Sequence, residues 1–286
     1  MHHLKNILVT GANGQLGMEF RALEKKFPGC QFLFAGKSEL SIENVFSVKE
    51  YFNNHVIDFC INCAAYTAVD NAEEEKDIAT AINVTAVGNL AAVCKEFNTV
   101  FFHFSTDYVF NGEATEPYKE TDSTDPVNYY GNTKLQGELA ALQNNQNAII
   151  IRTSWVYSSF GKNFVKTMLR LMSEKDQVGV VADQFGCPTY AGDLAAAVMK
   201  IIEGENVIPG IYHYCNDGII SWYDFALAIK EFSHSACTIN AIETSAYPTP
   251  AARPHYSALN IAKIKNTYSL QAMPWRKSLE RCIAQM

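Results

Sequence analysis

Cysteine is scarce and scattered, with eight residues in 286, which excludes a disulfide-stapled secreted scaffold and points to a reducing compartment. A cytoplasmic location is therefore expected. Glycine (16) and proline (9) are too few for a fibrous or low-complexity chain. Basic residues are outnumbered, 23 Lys and Arg against 30 Asp and Glu, so the net charge of −7 argues against a nucleic acid or an anionic membrane as partner. No uninterrupted apolar run reaches the ~18 residues of a membrane span, and the N-terminus passes into a strand-like run without a signal-peptide pattern. His2 and His3 carry no role in this reading. What the chain does have is 48% hydrophobic and 19% charged residues, the balance of a globular protein with a sizeable core. Its length exceeds the usual single domain, so one large α/β domain or a core domain carrying a smaller one is expected.

From Asn6 to about Tyr157, short Val-, Ile- and Phe-rich runs alternate with helix-like stretches, the signature of a parallel α/β sheet. Candidate strands run over Ile7–Thr10, Gln31–Ala35, Asp58–Ala64, Thr99–Ser105 and Ala148–Ser154, and their near-continuous apolar character suits burial on both faces. Beyond Tyr157 the pattern predicts a helix over Asn163–Ser173, a strand over Gln177–Ala182 and a helix over Gly192–Ile202. Ser221 and Asp224 form a capping-box variant opening a helix to about Phe232, and the prolines between Ser245 and Pro254 mark a loop. The expected fold is α/β: a Rossmann-like doubly wound parallel sheet over residues 1–157 and a smaller C-terminal substrate lobe over 158–286. Elements around 177–204 are expected to return to the core domain. Cys60 and Cys63 form a C-x-x-C inside the third strand and read as core thiols; no metal site is expected.

Gly11, Gly14 and Gly17 stand at G-x-x-G-x-x-G spacing where the first strand gives way to a helix. That context marks a dinucleotide site: a sharp turn at Gly11, close backbone approach to a pyrophosphate at Gly14, tight helix packing at Gly17, and a helix N-terminus aimed at the phosphates. The second strand ends in Gly36 and Lys37, where an NAD-selective chain usually presents a carboxylate to the ribose. Lys37 suits a 2′-phosphate, so NADPH is expected; Glu39 keeps NADH compatible.

Tyr130 and Lys134 form a Y-x-x-x-K. Chance supplies about one such pair in a chain with 14 Tyr and 17 Lys, so only its placement is informative. A helix entered at Asp125-Pro126 and running to about Gln143 puts both on one face, one turn apart. A phenol that gives up a proton near neutral pH needs help; Lys134 and an oxidised nicotinamide are expected to lower its pKa. The fourth strand runs into Ser105 and Thr106 at the carboxyl edge of the sheet, where either hydroxyl suits a substrate carbonyl. His103 reads as a core or supporting histidine, Trp222 and Tyr223 as packing, and Arg253 equally as a diphosphate ligand or a loop salt bridge.

VTGANGQLG (9–17), NCAAYTAVDNAE (62–73), NVTAVGNLA (83–91), FSTDYVFNG (104–112), YYGNTKLQGE (129–138), RTSWVYSSFGKNFVKTMLRL (152–171) and DQFGCPTYAGDLA (183–195) occur in order along nearly the whole chain. The chain thereby resembles the extended short-chain dehydrogenase/reductases. Its nearest branch there reduces the C4 keto group of dTDP-4-dehydro-L-rhamnose to dTDP-L-rhamnose with NAD(P)H. The resemblance implies Tyr130 as proton donor, Lys134 as the group that orients the cofactor ribose, and Thr106 as the hydroxyl that assists the carbonyl. It also implies cofactor contacts at Gly14, Gln15, Leu16, Cys63, Ala64, Ala65 and Phe104, with Ser41 and Ile42 near the adenine. Thr106, Asp107 and Trp155 would meet the sugar. Leu40-Ser41-Ile42 replaces a common L-D-I, and Gly192 stands where a second metal-binding glutamate would accompany Glu19, so a metal-bridged dimer is not expected although a homodimer is compatible. Rival readings are a nucleotide-sugar epimerase, a dehydratase, against which Tyr108 replaces the acidic residue of T-D-E, and a non-enzymatic regulatory subunit resembling that of methionine adenosyltransferase.

Overall fold

The computed structural model describes residues 4–204 and 206–286; His2 and His3 lie outside them. Six parallel strands form the central sheet: β1 (Lys5–Thr10), β2 (Cys30–Ala35), β3 (Phe59–Asn62), β4 (Val100–Thr106), β5 (Ile149–Thr153) and, from the C-terminal half, Gly210–His213. With β6 assigned to Gln177–Val181 in chain order, Gly210–His213 is β7 and Thr238–Ile242 is β8. The sheet order is then β2-β1-β3-β4-β5-β7. The direction of winding reverses between β1 and β3, and open α/β sheets bind ligands in the crevice at that switch point, beyond the carboxyl ends of the strands.

Alternation along the strands sorts the core into two layers. Ile7, Val9, Ile61, Phe102, Phe104 and Ile151 face one side, where they meet Phe20 of helix α1 (Gln15–Leu23). Leu8, Cys60, Phe101 and Ile150 face the other, against Val48 and Phe52 of α2 (Val45–Asn54), Leu90 and Cys94 of α3 (Lys76–Glu96), and Ala141 of α4 (Tyr129–Asn144). Burial on both faces is why these strands lack polar alternation. Helix α3 is long and apolar enough to cross a membrane, yet half of it is buried inside the fold.

Beyond β5, α5 (Phe164–Glu174) follows its Asn163 cap, and β6 pairs in parallel with β8 rather than with the central sheet. Met168 and Met172 of α5 pack with Val180, with Phe225 of α7 (Trp222–Phe232), with Ile239, and with Leu279 of α9 (Trp275–Ile283) in a separate cluster. Helix α6 (Ala191–Glu203) instead sends Leu194, Val198 and Ile201 into the layer beside α1, joined by Ile264 of α8 (Ala262–Tyr268). The capping box at Ser221 and Asp224 forms as expected, with both reciprocal bonds present.

Two boundaries beside the carboxyl end of the sheet differ from the sequence reading by two residues or more. The third strand stops at Asn62: the Cys63 amide makes a last bond to the Thr10 carbonyl (3.3 Å), and the Ala64 amide then turns to the Asn62 side chain, donating to its Oδ1 (3.2 Å). Helix α4 begins at Tyr129, not at Asp125-Pro126: Asn128 supplies the cap, its Oδ1 accepting from the Gly131 amide at 2.7 Å. Strand β7 went unpredicted, since Gly-Ile-Tyr-His after Pro209 is too short to show a period.

Candidate active site

A cleft of about 610 Å³ opens beyond the carboxyl ends of β1, β3, β4 and β5, and three segments the sequence singled out converge on it. The first is the glycine loop. Gly11 has φ +60°, and a Cβ there would lie 2.6 Å from the Ala64 amide nitrogen, so only glycine lets the loop rest on the end of β3. Gly14 caps α1 without a side-chain bond, the first turn holds no acidic residue, and Gly14, Gln15 and Leu16 line the cleft. The positive end of α1 is therefore free to meet phosphates. Gln15 is also tied to the start of α5 by the Asn163 amide at 2.9 Å. Cys63, Ala65 and Phe104 complete this wall, while Ala64 backs Gly11.

The second segment is the turn after β4. Thr106 donates to Asp107 Oδ1 (2.9 Å) and accepts from the Tyr108 amide (3.2 Å), which fixes a short 3₁₀ turn over Asp107–Val109. Thr106 and Asp107 are both buried, and Asp107 Oδ2 has no hydrogen-bond partner among the described residues. Burial lifts the Asp107 carboxyl to about 6, with hydrogen bonds from neighbouring hydroxyls opposing the shift.

The third is α4. Gly131 faces the Tyr108 carbonyl oxygen so closely that a Cβ would overlap it, and this approach brings Tyr130 edge-on to Tyr108, ring centroids 6.2 Å apart. Burial and the charge of Asp107 push the Tyr130 phenol above its ordinary range, and the neighbouring Thr106 hydroxyl acts against them. This departs from the expectation that Lys134 lowers it: the Lys134 Nζ stands 3.4 Å from His103 Nε2. Burial lowers the Lys134 ammonium to about 8, partly offset by Glu138 one turn on. Glu138 is itself held by Arg152 through two bonds (2.9 and 2.7 Å) with both side chains buried.

A second cavity of about 750 Å³ adjoins the first, and Tyr108 and Trp222 line both. Trp155 lines the smaller one with φ +47° and stacks on Trp222, so Trp222, read from sequence as packing, belongs to the site. Arg253 forms the loop salt bridge, pairing with Asp70 with Nη2 to Oδ2 at 2.8 Å, and it also lines the larger cavity. Thr167, Arg170 and Lys175 of the α5 region add polar and cationic groups to that cavity. Sequence reasoning missed Tyr108, Asp70 and this face of α5, because amphipathic helix spacing looks the same whether its polar side meets water or a ligand.

Gly11, Gly17 and Ala64 stand behind the cleft lining, and three further expected contacts lie away from it. Lys37 is 78% exposed and pairs with Glu43 at 2.9 Å. Ile42 is buried in the core layer with Leu8 and Val48, and Ser41 precedes it, its carbonyl accepting from Asn44. At this end of the sheet Glu39 accepts from the Gly36 amide (2.9 Å), and Arg21 lies over the Phe34 ring at 4.3 Å. Glu19, buried, accepts from Ser158 at 2.6 Å. Cys60 and Cys63 are free thiols, and burial pushes Cys63 well above the usual thiol range.

A family model described as "RmlD substrate binding domain" matches residues 5–286. The chain is 43% identical over 290 residues to a dTDP-4-dehydrorhamnose reductase of Aggregatibacter actinomycetemcomitans, covering 97% of this chain and 98% of that one. It superimposes with a TM-score of 0.92 at 40% identity on the crystal structure of a dTDP-4-dehydrorhamnose reductase from Clostridium acetobutylicum, covering 98% of this chain and 100% of that one. A Bacillus anthracis dTDP-4-dehydrorhamnose reductase solved in complex with NADP gives a TM-score of 0.94 at 35% identity, with 99% of each chain covered.

Proposed function

Because the chain belongs to the RmlD substrate-binding-domain family, we propose that it reduces the C4 keto group of dTDP-4-dehydro-L-rhamnose to give dTDP-L-rhamnose, with NADPH as cofactor. The observation that carries the reading is the convergence on one cleft of a glycine-lined helix N-terminus with Tyr130, Lys134 and Thr106. The residues fit the cofactor: the loop leaves no room for a side chain at Gly11 and little at Gly14, and the uncapped α1 terminus suits its pyrophosphate. Arg21, 4.3 Å above the Phe34 ring centre, is the cation suited to the 2′-phosphate, a place the sequence reading gave to Lys37.

NADPH bound there supplies the hydride that reaches C4 of the sugar. Tyr130 gives its proton to the oxygen of that carbonyl, as a phenol held neutral by burial is suited to do. Thr106 stands beside it, and by turning its one hydroxyl hydrogen from Asp107 Oδ1 to the substrate it donates a second hydrogen bond as charge grows on the oxygen. Lys134 holds the ribose side of the cleft. Asp107, with its unpartnered Oδ2, receives a sugar hydroxyl. Trp155 offers its ring to the sugar face. The thymidine diphosphate is assigned to the larger cavity, where Lys175 lines the wall and Arg253 and Arg170 can turn from their partners Asp70 and Glu174 to meet its phosphates.

A dehydratase reading fails at Tyr108, whose phenol cannot replace the carboxyl acid of T-D-E; burial pushes it above its ordinary range. We propose residues 158–286 as the source of most of the substrate lobe, a cytoplasmic location on the eight free thiols, and a homodimer on exposed Ile78 and Leu139 of the packed pair α3 and α4.

The test is the loss of nicotinamide absorbance with dTDP-4-dehydro-L-rhamnose, run with NADPH and NADH in parallel, for the wild type and Tyr130→Phe. Rapid oxidation by the wild type, lost about 10²–10⁴-fold in the variant while NADPH still binds, is the expected result. Surviving turnover in the variant overturns the proton-donor role, and no oxidation by the wild type despite cofactor binding overturns the substrate.

A further inference from the structure

Behind the reacting groups runs a buried line of polar side chains, Thr10, Asn62, His103 and Lys134, drawn from β1, β3, β4 and α4. His103 is 1% exposed, and Asn62 and Thr10 are equally enclosed. Each bond in this line has a direction that chemistry dictates. The Ala64 amide is a donor only, and it lies 3.2 Å from Asn62 Oδ1, which also accepts from the Thr10 hydroxyl at 2.7 Å. The carboxamide orientation is thereby fixed, and its Nδ2, a donor only, faces His103 Nδ1 at 3.1 Å. His103 Nδ1 must accept. Burial holds the ring neutral, so its single proton resides on Nε2, the nitrogen that faces Lys134 Nζ.

An ammonium has three donors and no acceptor, so a ring N–H aimed at it is an unfavourable contact, whereas a free amine can accept that hydrogen. We propose that His103, locked by Asn62 as an Nε2–H donor, is a positioning residue for Lys134 that favours its amine form and turns its remaining hydrogens toward the cleft. The other groups acting on Lys134 are Glu138 on α4, which favours the ammonium but is shared with Arg152 of β5, and Tyr130 one turn back, held neutral by burial. Burial is the main force against the ammonium, and the Nε2–H of His103, 3.4 Å away, acts in the same direction against Glu138, leaving a lysine that titrates at about 8. Once Tyr130 has given its proton to the substrate oxygen, such a lysine can return one from its ammonium to the phenolate and be reprotonated by water entering the cleft, which a permanently charged one cannot. This inference rests on the reductase reading only for the use made of the proton; the tautomer and the titration are properties of the free chain.

The experiment uses the full chain labelled with ¹⁵N-histidine, with NMR reading which nitrogen of His103 bears the proton. The expected result is a neutral ring protonated on Nε2 whose shift follows a mildly alkaline titration that Lys134→Met abolishes. A proton on Nδ1, a charged ring, or a titration that survives Lys134→Met overturns the proposal. A second arm compares His103→Phe with the wild type in the pH dependence of NADPH affinity, read by fluorescence, and of turnover. The alkaline midpoint is expected to rise by about one pH unit in both. A midpoint that stays in place while affinity or turnover falls shows a structural role only and overturns it. If the NMR result holds and dTDP-4-dehydro-L-rhamnose is not reduced, the function reading fails and this one stands.

Discussion

Trp155 and Trp222 lie face to face, ring centroids 3.5 Å apart and planes within 8°, one at the end of the β5 edge and the other at the first turn of α7. The pair joins the two halves of the chain at the point where the two cavities meet. Trp222→Ala is expected to remove a stacking contribution of about 0.5–1.5 kcal/mol. That corresponds to a KM for the nucleotide sugar raised roughly 2–10-fold with NADPH affinity unchanged. Steady-state kinetics against each substrate in turn checks this, and an equal loss for both would place Trp222 in general packing.

Gly131 bears on catalysis through geometry alone. Its Cβ-less face lets α4 touch the Tyr108 carbonyl, and the same contact sets the depth at which Tyr130 enters the cleft. Gly131→Ala is expected to cost about 1–3 kcal/mol of stability by overpacking. Turnover should fall further than the unfolded fraction accounts for, since small displacements of a reacting group are costly. Thermal melts beside kcat measured well below the melting point separate the two effects.

Asp107 makes stability depend on pH. Its folded carboxyl titrates at about 6 against an ordinary 3.8, so the folded state binds the proton more tightly than the unfolded one. The associated stability is fully present below the ordinary value and is lost as pH rises through about 6. Asp107→Asn, which cannot ionise, is expected to melt higher than the wild type at pH 8, by roughly 5 °C, and to converge with it near pH 4. Melting curves across that range decide it; a difference independent of pH would assign the effect to packing.

The buried pair Glu138 and Arg152 is expected to be the costliest to break. Arg152 Nη1 has no hydrogen-bond partner among the described residues, and its guanidinium lies 5.1 Å from the Phe110 ring centre, so the two bonds to Glu138 carry most of its compensation. Glu138→Gln should lose about 3–5 kcal/mol, read as a shifted urea midpoint, whereas the exposed pair Arg170 and Glu174 should lose under about 1 kcal/mol on Glu174→Gln.

The first half of the fold was legible because each strand announces itself by an unbroken apolar run and each switch by glycine or a polar cap. The glycine loop, Thr106, Tyr130 and Lys134 meet where that reading put them, since all sit at carboxyl ends of strands or on the helix that packs there. Strand β7 was hidden because four residues cannot display a period, and the start of α4 was misplaced because Pro126 signals a helix start more loudly than Asn128. Lys37 follows the end of the second strand as read, yet its side chain points to solvent and pairs with Glu43 from the following turn. Trp222 and Asp70 belong to the site only through partners far along the chain, and no local pattern carries that information.

The position of Gly210–His213 at the sheet margin has a bearing on synthesis. Until that segment leaves the ribosome, β5 keeps one row of amides and carbonyls unpaired, although every other strand of the sheet has by then been made. A nascent or truncated chain ending before residue 210 would thus present a flat, apolar, all-Ile edge at Ile149–Ile151, the kind of template on which a second chain adds. Fragments of this length should be recovered as aggregates when the intact protein is not.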